Sequence, residues 1–330
     1  MSANNEGPES VTLGQETQRQ GVDGANNKGI EIVTLTKVEC ANLNANGTEG
    51  VISVLKKVRD PVDMKEYVRV SGQSVKFQLK QILKEVLGKE LSPISPKKGE
   101  QGEGQVLVSE GNPEKYIDDD LFGYMLAGKP TFKRTAPVRT NGMISIFPYQ
   151  EDRDFGVRYD PSGKEEHNIH ETEIATNIMR SNFFIEIDRI GSFLNGEVSH
   201  PKSLPPEERE TRLKALLKAI LIYYGGAHLT RFFTKAYPEA IIIVFLNKKI
   251  PIIGDNFRVK QEYKDGKYVL DTALLKEVLD TFDQYINKVY IGLLKEKFEM
   301  NDIETLKNNK KIHVFSLKEL GEELEKEKVF

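Results

Sequence analysis

The sequence predicts an α+β fold in which four strands and two helices follow one another in the order βαββαβ. Residues 71–88 and 206–224 have the apolar periodicity of amphipathic helices. β-branched and other apolar residues dominate the run 30–39, and the run 240–246 is apolar throughout, as buried central strands are. The chain has 330 residues, 38% of them hydrophobic and 29% charged, which suits one large globular domain or two smaller ones.

The first predicted strand lies between two polar segments. Residues 1–27 are rich in Asn, Gly, Gln and Glu and predict a disordered tail. Residues 41–50 contain Asn and Gly residues that favour turns, so they predict a polar loop after the strand. The first helix then begins at Ser71, a typical N-cap residue, and ends at Gly88. Its core side is formed by apolar residues at helical spacing, namely Val75, Leu79, Ile82, Leu83, Val86 and Leu87.

The remaining predicted elements follow this helix. Residues 92–113, with several Gly, Pro, Lys and Glu residues, predict an extended insertion or a mobile loop. Strand-like segments near 143–147 and 183–189 precede the second helix. We expect residues 263–330 to be a mostly helical region of the same domain.

This order of elements is that of the split βαβ, ferredoxin-like pattern, on which RNA-recognition domains are also built. Other classes of protein are disfavoured. The most apolar runs are too short to span a bilayer, and the first residues lack the basic and then apolar pattern of a signal peptide, so we expect a cytoplasmic protein without membrane contact. Cys40 is the only cysteine, which excludes an internal disulfide and a multi-cysteine zinc site.

Charge is distributed unevenly along the chain. The net charge of −3 and the pI near 6.1 argue against a protein that binds any nucleic acid it meets. Residues 129–149, however, carry Lys129, Lys133, Arg134 and Arg139 and no acid. Such a locally basic surface can hold a phosphate backbone, although charge alone favours an ordinary solvated surface.

The segment around the start of the first helix is the most informative. A strand that ends near Arg69 leads directly into a helix N-terminus with Ser71, Gln73 and Lys76. The unpaired N–H groups and partial positive charge of a helix N-terminus bind phosphate, and the two cations add full charges. Lys80 extends a basic stripe one turn further. A plain capped amphipathic helix remains the alternative.

Residues 67–76, YVRVSGQSVK, resemble the R-V-S-S-Q-S-x-K signature that opens the first helix in backbone subunits of Cascade, the type I CRISPR effector. Gly72 departs from this signature, because many relatives have a second Ser there. Further similarities follow in the order of the family and are closest to the DevR-type backbone subunit of subtype I-B: NLN (42–44), DDLFG (119–123), APVRTNGMIS (136–145), HETE (170–173) and FFIEID (183–188).

The resemblance implies a hand-shaped subunit whose copies stack along CRISPR guide RNA beside other Cascade subunits. Residues 28–262 would form an RRM-like palm, with fingers within about 89–117 and a thumb within about 149–172. The guide would then pair with target DNA, so that base pairing and not the protein reads sequence. The candidate RNA-binding residues are Asn42, Asn44, Lys56, Lys57, Arg69, Ser71, Gln73, Lys76, Lys80, Lys133, Arg134, Arg139 and Asn141, and the thumb candidates are Arg153, Phe155, Arg158 and Tyr159.

We expect binding without catalysis, cofactor or metal. Type III relatives cut RNA with an Asp in the loop after the first strand, and residues 41–48 contain no acid. Three adjacent acids, Asp118 to Asp120, point in different directions and so favour a turn or cap over a Mg²⁺ site. Two alternatives stay open. One is a repeat-processing endoribonuclease that would use the clustered His167 and His170, and the other is a regulatory nucleic-acid-binding protein.

Overall fold

The computed structural model describes residues 27–98, 105–158, 168–225, 232, 234–301 and 303–330. The segment predicted to be a disordered tail lies outside the described residues, apart from Asn27. None of the helices in the described ranges combines the length and the apolar character needed to cross a lipid bilayer.

The described chain is rich in strands. The strands are β1 Gly29–Ala41, β2 Ala45–Glu49, β3 Ile52–Leu55, β4 Lys57–Arg59, β5 Glu66–Val70, β6 Ile94–Lys98, β7 Gln105–Ser109, β8 Tyr124–Leu126, β9 Phe132–Arg134, β10 Val138–Ser145, β11 Arg153–Arg158, β12 Asn168–Glu173, β13 Ala175–Glu186, β14 Ser192–Phe193, β15 Lys202–Ser203, β16 Ala240–Leu246, β17 Val259–Lys264, β18 Lys267–Leu270, β19 Ile286–Leu293, β20 Phe298–Met300 and β21 Ile312–Ser316. The α-helices are α1 Gly72–Gln81, α2 Ile117–Phe122, α3 Pro206–Leu221, α4 Thr272–Thr281, α5 Ile303–Lys307 and α6 Leu317–Lys326.

Eight strands form a central sheet in the order β21–β19–β16–β1–β13–β10–β5–β4. All neighbours in it are antiparallel except β19 and β21. The long strand β1 lies in the middle, where it pairs with β13 on one side and with β16 on the other. The predicted strands at 30–39 and 240–246 and both predicted helices are therefore confirmed.

The two faces of the central sheet are covered by different parts of the chain. Side chains alternate along a strand, so Met179 and Phe183 of β13 point to one face and Ile178 and Phe184 to the other. The first face packs against α1, α3 and α6, and we call it the helix face. The second, the opposite face, packs around Phe257 and α4 in the C-terminal part of the chain. Burying apolar side chains on both faces is the main stabilising contribution.

The prediction of a mostly helical region at 263–330 is wrong. Three helices lie there, but so do β18 to β21, and β17 crosses the predicted boundary at residue 263. β19 and β21 extend the central sheet beyond β16. The apolar side chains of β19 are buried on both faces, so their sequence has no clear period of two to distinguish the strand from a helix.

Two segments predicted to be loops contain hairpins. Residues 41–50 were expected to be a polar loop, but β2 lies there and pairs with β3, and β3 pairs in parallel with the distant β12. Leu55 of β3 is buried, which anchors this hairpin to the core. In the segment 92–113, β6 pairs with β7. Local composition could not show these strands, because their pairing partners decide them.

The first helix begins as predicted. The Ser71 hydroxyl accepts a hydrogen bond from the Ser74 N–H at 3.2 Å, which caps α1. The start of α1 packs against an irregular point of β10, where the register with β13 shifts between Thr140 and Gly142. A Cβ atom at Gly72 would lie 2.6 Å from the Thr140 carbonyl oxygen, so no larger residue fits there without a backbone shift.

The three adjacent acids at 118–120 lie in the first turn of α2, are buried, and contact three different parts of the chain. Asp118 accepts from Lys80 Nζ at 2.9 Å, and Asp119 accepts from the Asn112 N–H at 2.9 Å. Asp120 binds Arg134 at 2.6 Å and Arg212 at 2.8 Å. These carboxylates therefore hold the fold together instead of converging on a metal ion.

Arg134 was predicted to bind RNA, and the structure contradicts this. Its side chain is fully buried, and it pairs with both Asp120 and Glu197. It also donates to the carbonyl oxygens of Arg189 and Ser192. A guanidinium whose donors are all directed into the fold has no surface to offer to RNA, so Arg134 is a structural residue.

Replacing Arg134 with Met should strongly destabilise the protein, because it removes a fully buried charge from two buried carboxylates, Asp120 and Glu197, and leaves each with a single arginine partner. Breaking a buried pair in this way costs about 3–5 kcal/mol. The matched control is Arg59→Met, which removes an exposed arginine paired with Glu66 and should cost at most about 1 kcal/mol. Denaturant-induced unfolding measures both, and equal midpoints for the two variants would contradict the structural role of Arg134.

Replacing Gly72 with Ser should also destabilise the protein. The added Cβ meets a backbone oxygen, which cannot rotate away as a side chain can. The matched control is Gly88→Ser, where nothing lies within 4 Å but φ is +63°, so that only backbone strain is added. Thermal unfolding should show a larger loss for Gly72→Ser than for the control, and the reverse order would contradict the steric argument.

Candidate nucleic-acid interface

The candidate site centres on the junction between β5 and α1. Arg69 is exposed, while its neighbours Val68 and Val70 are buried on the helix face, so Arg69 points to the opposite face. Gln73 is exposed in the first turn of α1. The helix N-terminus adds its partial positive charge at the same place. The junction therefore combines a full charge with neutral hydrogen-bonding groups, which suits a phosphate.

The lysines of α1 do not form the uniform stripe that their spacing predicted. Lys76 is half-buried, and burial lowers its pKa, with a further contribution from the charge of Lys80. Lys80 forms an ion pair with the buried Asp118 and lies near the Phe122 ring. Its charge is thus engaged by the fold, so Lys80 is a weaker candidate for RNA binding than the sequence suggested.

Strand β10 carries two more of the predicted RNA-binding residues, Arg139 and Asn141. Arg139 is exposed, lies 5.1 Å above the Phe184 ring and pairs with Glu186 at 2.8 Å. Asn141 is exposed at the irregular point of β10. Lys133 is exposed too, but it lies on β9, in a separate two-stranded sheet with β8. The structure therefore groups Arg69, Arg139 and Asn141 on one sheet region and leaves Lys133 apart.

The loop after β1 has a structural function that the sequence did not indicate. Asn42 is buried and donates to the Glu173 carbonyl oxygen at 2.9 Å. The Glu173 carboxylate accepts from the Leu55 N–H at 2.7 Å and pairs with Lys57 at 2.9 Å. Asn42 and Lys57 are therefore held inside the fold. Asn44 and Lys56 are half-buried beside them and share a backbone hydrogen bond of 2.9 Å.

The predicted thumb is part of a four-stranded sheet in the order β11–β12–β3–β2. Arg153 pairs with Glu151 and, at 3.2 Å, with Glu171. Phe155 is 59% exposed and shares its face of the sheet with Val157. Arg158 ends β11 and its side chain is not described, while Tyr159 lies outside the described residues. The sequence did not indicate that β11 and β12 form a hairpin or that this hairpin joins the insertion after β1.

The structure describes one of the two histidines that the repeat-processing alternative would use. His170 is half-buried on β12, and His167 lies outside the described residues. Within the described ranges, no group of three or more His, Cys, Asp or Glu side chains could hold a metal ion.

Sequence reasoning missed Arg180 and Asn182. Both point to the opposite face from β13, four and two residues before Phe184, respectively. The predicted strand began at residue 183, so these positions fell outside it. The structural strand Ala175–Glu186 begins eight residues earlier, and residues 176–184 show no alternation of polar and apolar residues that could have identified the two positions.

Comparison with known proteins places the chain in a family. The family model described as "CRISPR-associated negative auto-regulator DevR/Csa2" matches residues 32–268. A chain from a "CRISPR RNA-guided surveillance complex, pre-nicking" has a similar fold, with a TM-score of 0.58 and 12% identity over 85% of this chain and 98% of that chain.

A second solved chain, from a "CRISPR RNA-guided surveillance complex", gives a TM-score of 0.54 and 14% identity over 83% of this chain and 94% of that chain. At these identities the likeness concerns the fold. The comparison with curated proteins gave no match. Because the family model covers well over half of its length, this chain belongs to the DevR/Csa2 family of CRISPR-associated proteins.

Proposed function

We propose that this protein is a non-catalytic, cytoplasmic RNA-binding subunit that polymerises along CRISPR guide RNA in a type I complex of the I-B kind. The observation that carries the proposal is the β5–α1 junction, where Arg69 is exposed two residues before Ser71, the N-cap of α1, a combination of groups that suits a phosphate. Arg139 and Asn141 lie on the adjacent strand. Family membership and the fold shared with surveillance-complex chains add support.

The sheet order supports an RRM-like palm. The four strands β16–β1–β13–β10 occupy the positions of the last, first, third and second strands of a βαββαβ unit. Both connecting helices, α1 and α3, pack on the helix face. The hairpins β6–β7 and β11–β12 belong to small sheets outside the central one, which suits finger and thumb insertions.

In this proposal the protein recognises RNA through its backbone. Lys and Arg neutralise phosphates and release counterions, so binding is salt-dependent and insensitive to base identity. Exposed Phe155 on β11 offers an aromatic surface on which a displaced base can stack. The remaining bases of the guide stay free to pair with target DNA, as in other RNA-guided complexes.

RNA bound to the purified protein tests this function directly. A tagged chain isolated from its native host should carry repeat–spacer RNAs of uniform length, protected along the spacer. Sequencing of the co-purified RNA measures this. A folded preparation that carries no RNA would contradict the proposed function.

The proposed absence of catalysis makes a separate prediction. The purified protein should not cleave repeat RNA when Mg²⁺ is present, because the loop at 41–48 has no acid and the acids at 118–120 are buried and engaged. Gel analysis of labelled repeat RNA, with EDTA-treated samples as controls, measures cleavage. Cleavage that disappears in His170→Ala would favour the repeat-processing endoribonuclease instead.

The family description favours one second candidate, a regulator that acts on nucleic acid, because it names a negative auto-regulator. The two functions differ in their ligand. A guide-coating subunit should prefer single-stranded repeat–spacer RNA over duplex DNA, whereas a transcriptional auto-regulator should prefer duplex DNA from upstream of its own gene. Competition between these two ligands in one binding assay separates the candidates.

A further inference from the structure

Most arginines in the described part of the chain pair with carboxylates of the fold. Among the arginines whose side chains the structure describes, which excludes Arg158, three have no carboxylate partner in an ion pair: Arg69, Arg180 and Arg209. A guanidinium without an anion is the group that a phosphate ligand requires. These three residues are therefore the arginines to examine for a ligand.

Arg209 is engaged within the fold in another way. Its guanidinium donates to the carbonyl oxygens of Ile190 at 2.7 Å and Asp188 at 3.2 Å, and it lies 4.3 Å above the Phe330 ring. These contacts tie α3 to the segment after β13 and to the end of the chain. Arg209 is thus a structural residue, which leaves Arg69 and Arg180.

The strand register places Arg69 and Arg180 in one row. Ile144 of β10 is the cross-strand partner of Arg69 on β5 and also of Arg180 on β13. Cross-strand partners point to the same face of a sheet, so both arginines lie on the opposite face with half-buried Ile144 between them. Their Cα atoms are separated by two strand spacings, roughly 10 Å.

The surroundings of Arg180 compensate its charge only in part. It is half-buried and donates to the Asp255 carbonyl oxygen at 3.2 Å. Burial lowers the pKa of Arg180, and the nearby charge of Arg258 adds to this, although the Asp255 carboxylate opposes it. Arg258 is itself paired with Asp271. An anion at this point would relieve the desolvated charge.

The surface next to the arginine row is polar and open. Half-buried Asn182 is the cross-strand partner of Gly142, which has no side chain and cannot have one, because a Cβ there would lie 2.0 Å from the Val70 carbonyl oxygen. Exposed Asn141 lies beside it. Neutral amides next to two cations suit the sugar–phosphate backbone of a nucleic acid better than an apolar partner.

We propose that Arg180 is a second phosphate-binding residue, which together with Arg69 holds the backbone of a single RNA strand laid across β5, β10 and β13. This inference rests on the proposed RNA-binding function. It adds to that function a residue, Arg180, that the sequence did not indicate. It also gives the bound RNA strand a direction, because contacts with both arginines make the RNA cross the sheet instead of lying only at the start of α1.

Salt-dependent binding of mixed-sequence single-stranded RNA tests the proposal. Arg69→Gln and Arg180→Gln should each weaken binding about tenfold, as the loss of one charge-assisted contact does. Each should also reduce the slope of log affinity against log salt by about 0.7, and the double variant by about 1.4. The matched control is Lys276→Gln on α4, which removes the same charge from an exposed helix position and should change neither quantity.

Arg180→Lys separates a phosphate contact from a structural effect. It keeps the charge and a donor for the Asp255 carbonyl oxygen, so it should keep the wild-type salt slope while its affinity falls, because Lys cannot bind phosphate in a bidentate way. Circular dichroism confirms that each variant folds. If Arg180→Gln does not fold, the affinity and slope of Arg180→Lys decide the question.

Failure of this inference and failure of the proposed function give different results. Wild-type protein that binds RNA, with Arg180→Gln or Arg180→Lys unchanged in affinity, would overturn the assignment of Arg180 and leave the function standing. A loss that varies with RNA sequence would also overturn it, because phosphate contacts carry no sequence information. Wild-type protein that binds no RNA would refute the proposed function itself.

Discussion

The pairing of β1 with β13 is the constraint on which the rest of the structure depends. Both strands are central, and each must direct one set of side chains to the helix face and the other to the opposite face. If β13 shifted by one residue along β1, Asn182 would take the buried position of Phe183 and polar groups would enter the core. Burial on both faces therefore fixes the register of the two strands. The same register places Arg180 beside Ile144 on the opposite face and aligns it with Arg69. The register that buries the core side chains therefore also determines where the arginines of the candidate site lie.

The sequence predicted those parts of the fold that short-range patterns determine. The core positions of α1 and α3 repeat at helical spacing, and the run at 240–246 is apolar throughout, so each could be recognised locally. Strand β3 could not, because its four residues become a strand only by pairing with β2 and the distant β12. The strands of the C-terminal region were missed for a related reason, since β19 is buried on both faces and lacks alternation.

The candidate site was predictable where a residue's neighbours reveal its exposure. Arg69 lies between two valines of a strand, and this alternation indicates that it points away from the core. Arg134 lies in a basic segment of the sequence, yet its partners Asp120 and Glu197 are far away along the chain, so nothing local distinguishes it from the exposed Lys133. A cation's function here depends on whether the fold supplies it with an anion, and that information is non-local.

This division of the cations has a consequence for how an acidic protein can bind RNA. Most described arginines are neutralised by carboxylates of the fold, so each copy offers few arginine contacts to phosphate, and a single copy should bind RNA weakly and with a modest dependence on salt. Copies that lie side by side on one RNA would each add their contacts at high effective concentration, so the assembly would bind far more tightly than one subunit. With a net charge of −3, weak contacts per copy would also limit binding to unrelated nucleic acids. Under the proposed function, selectivity for long guide RNA then follows from repetition of a weak site, and no single strong site is needed.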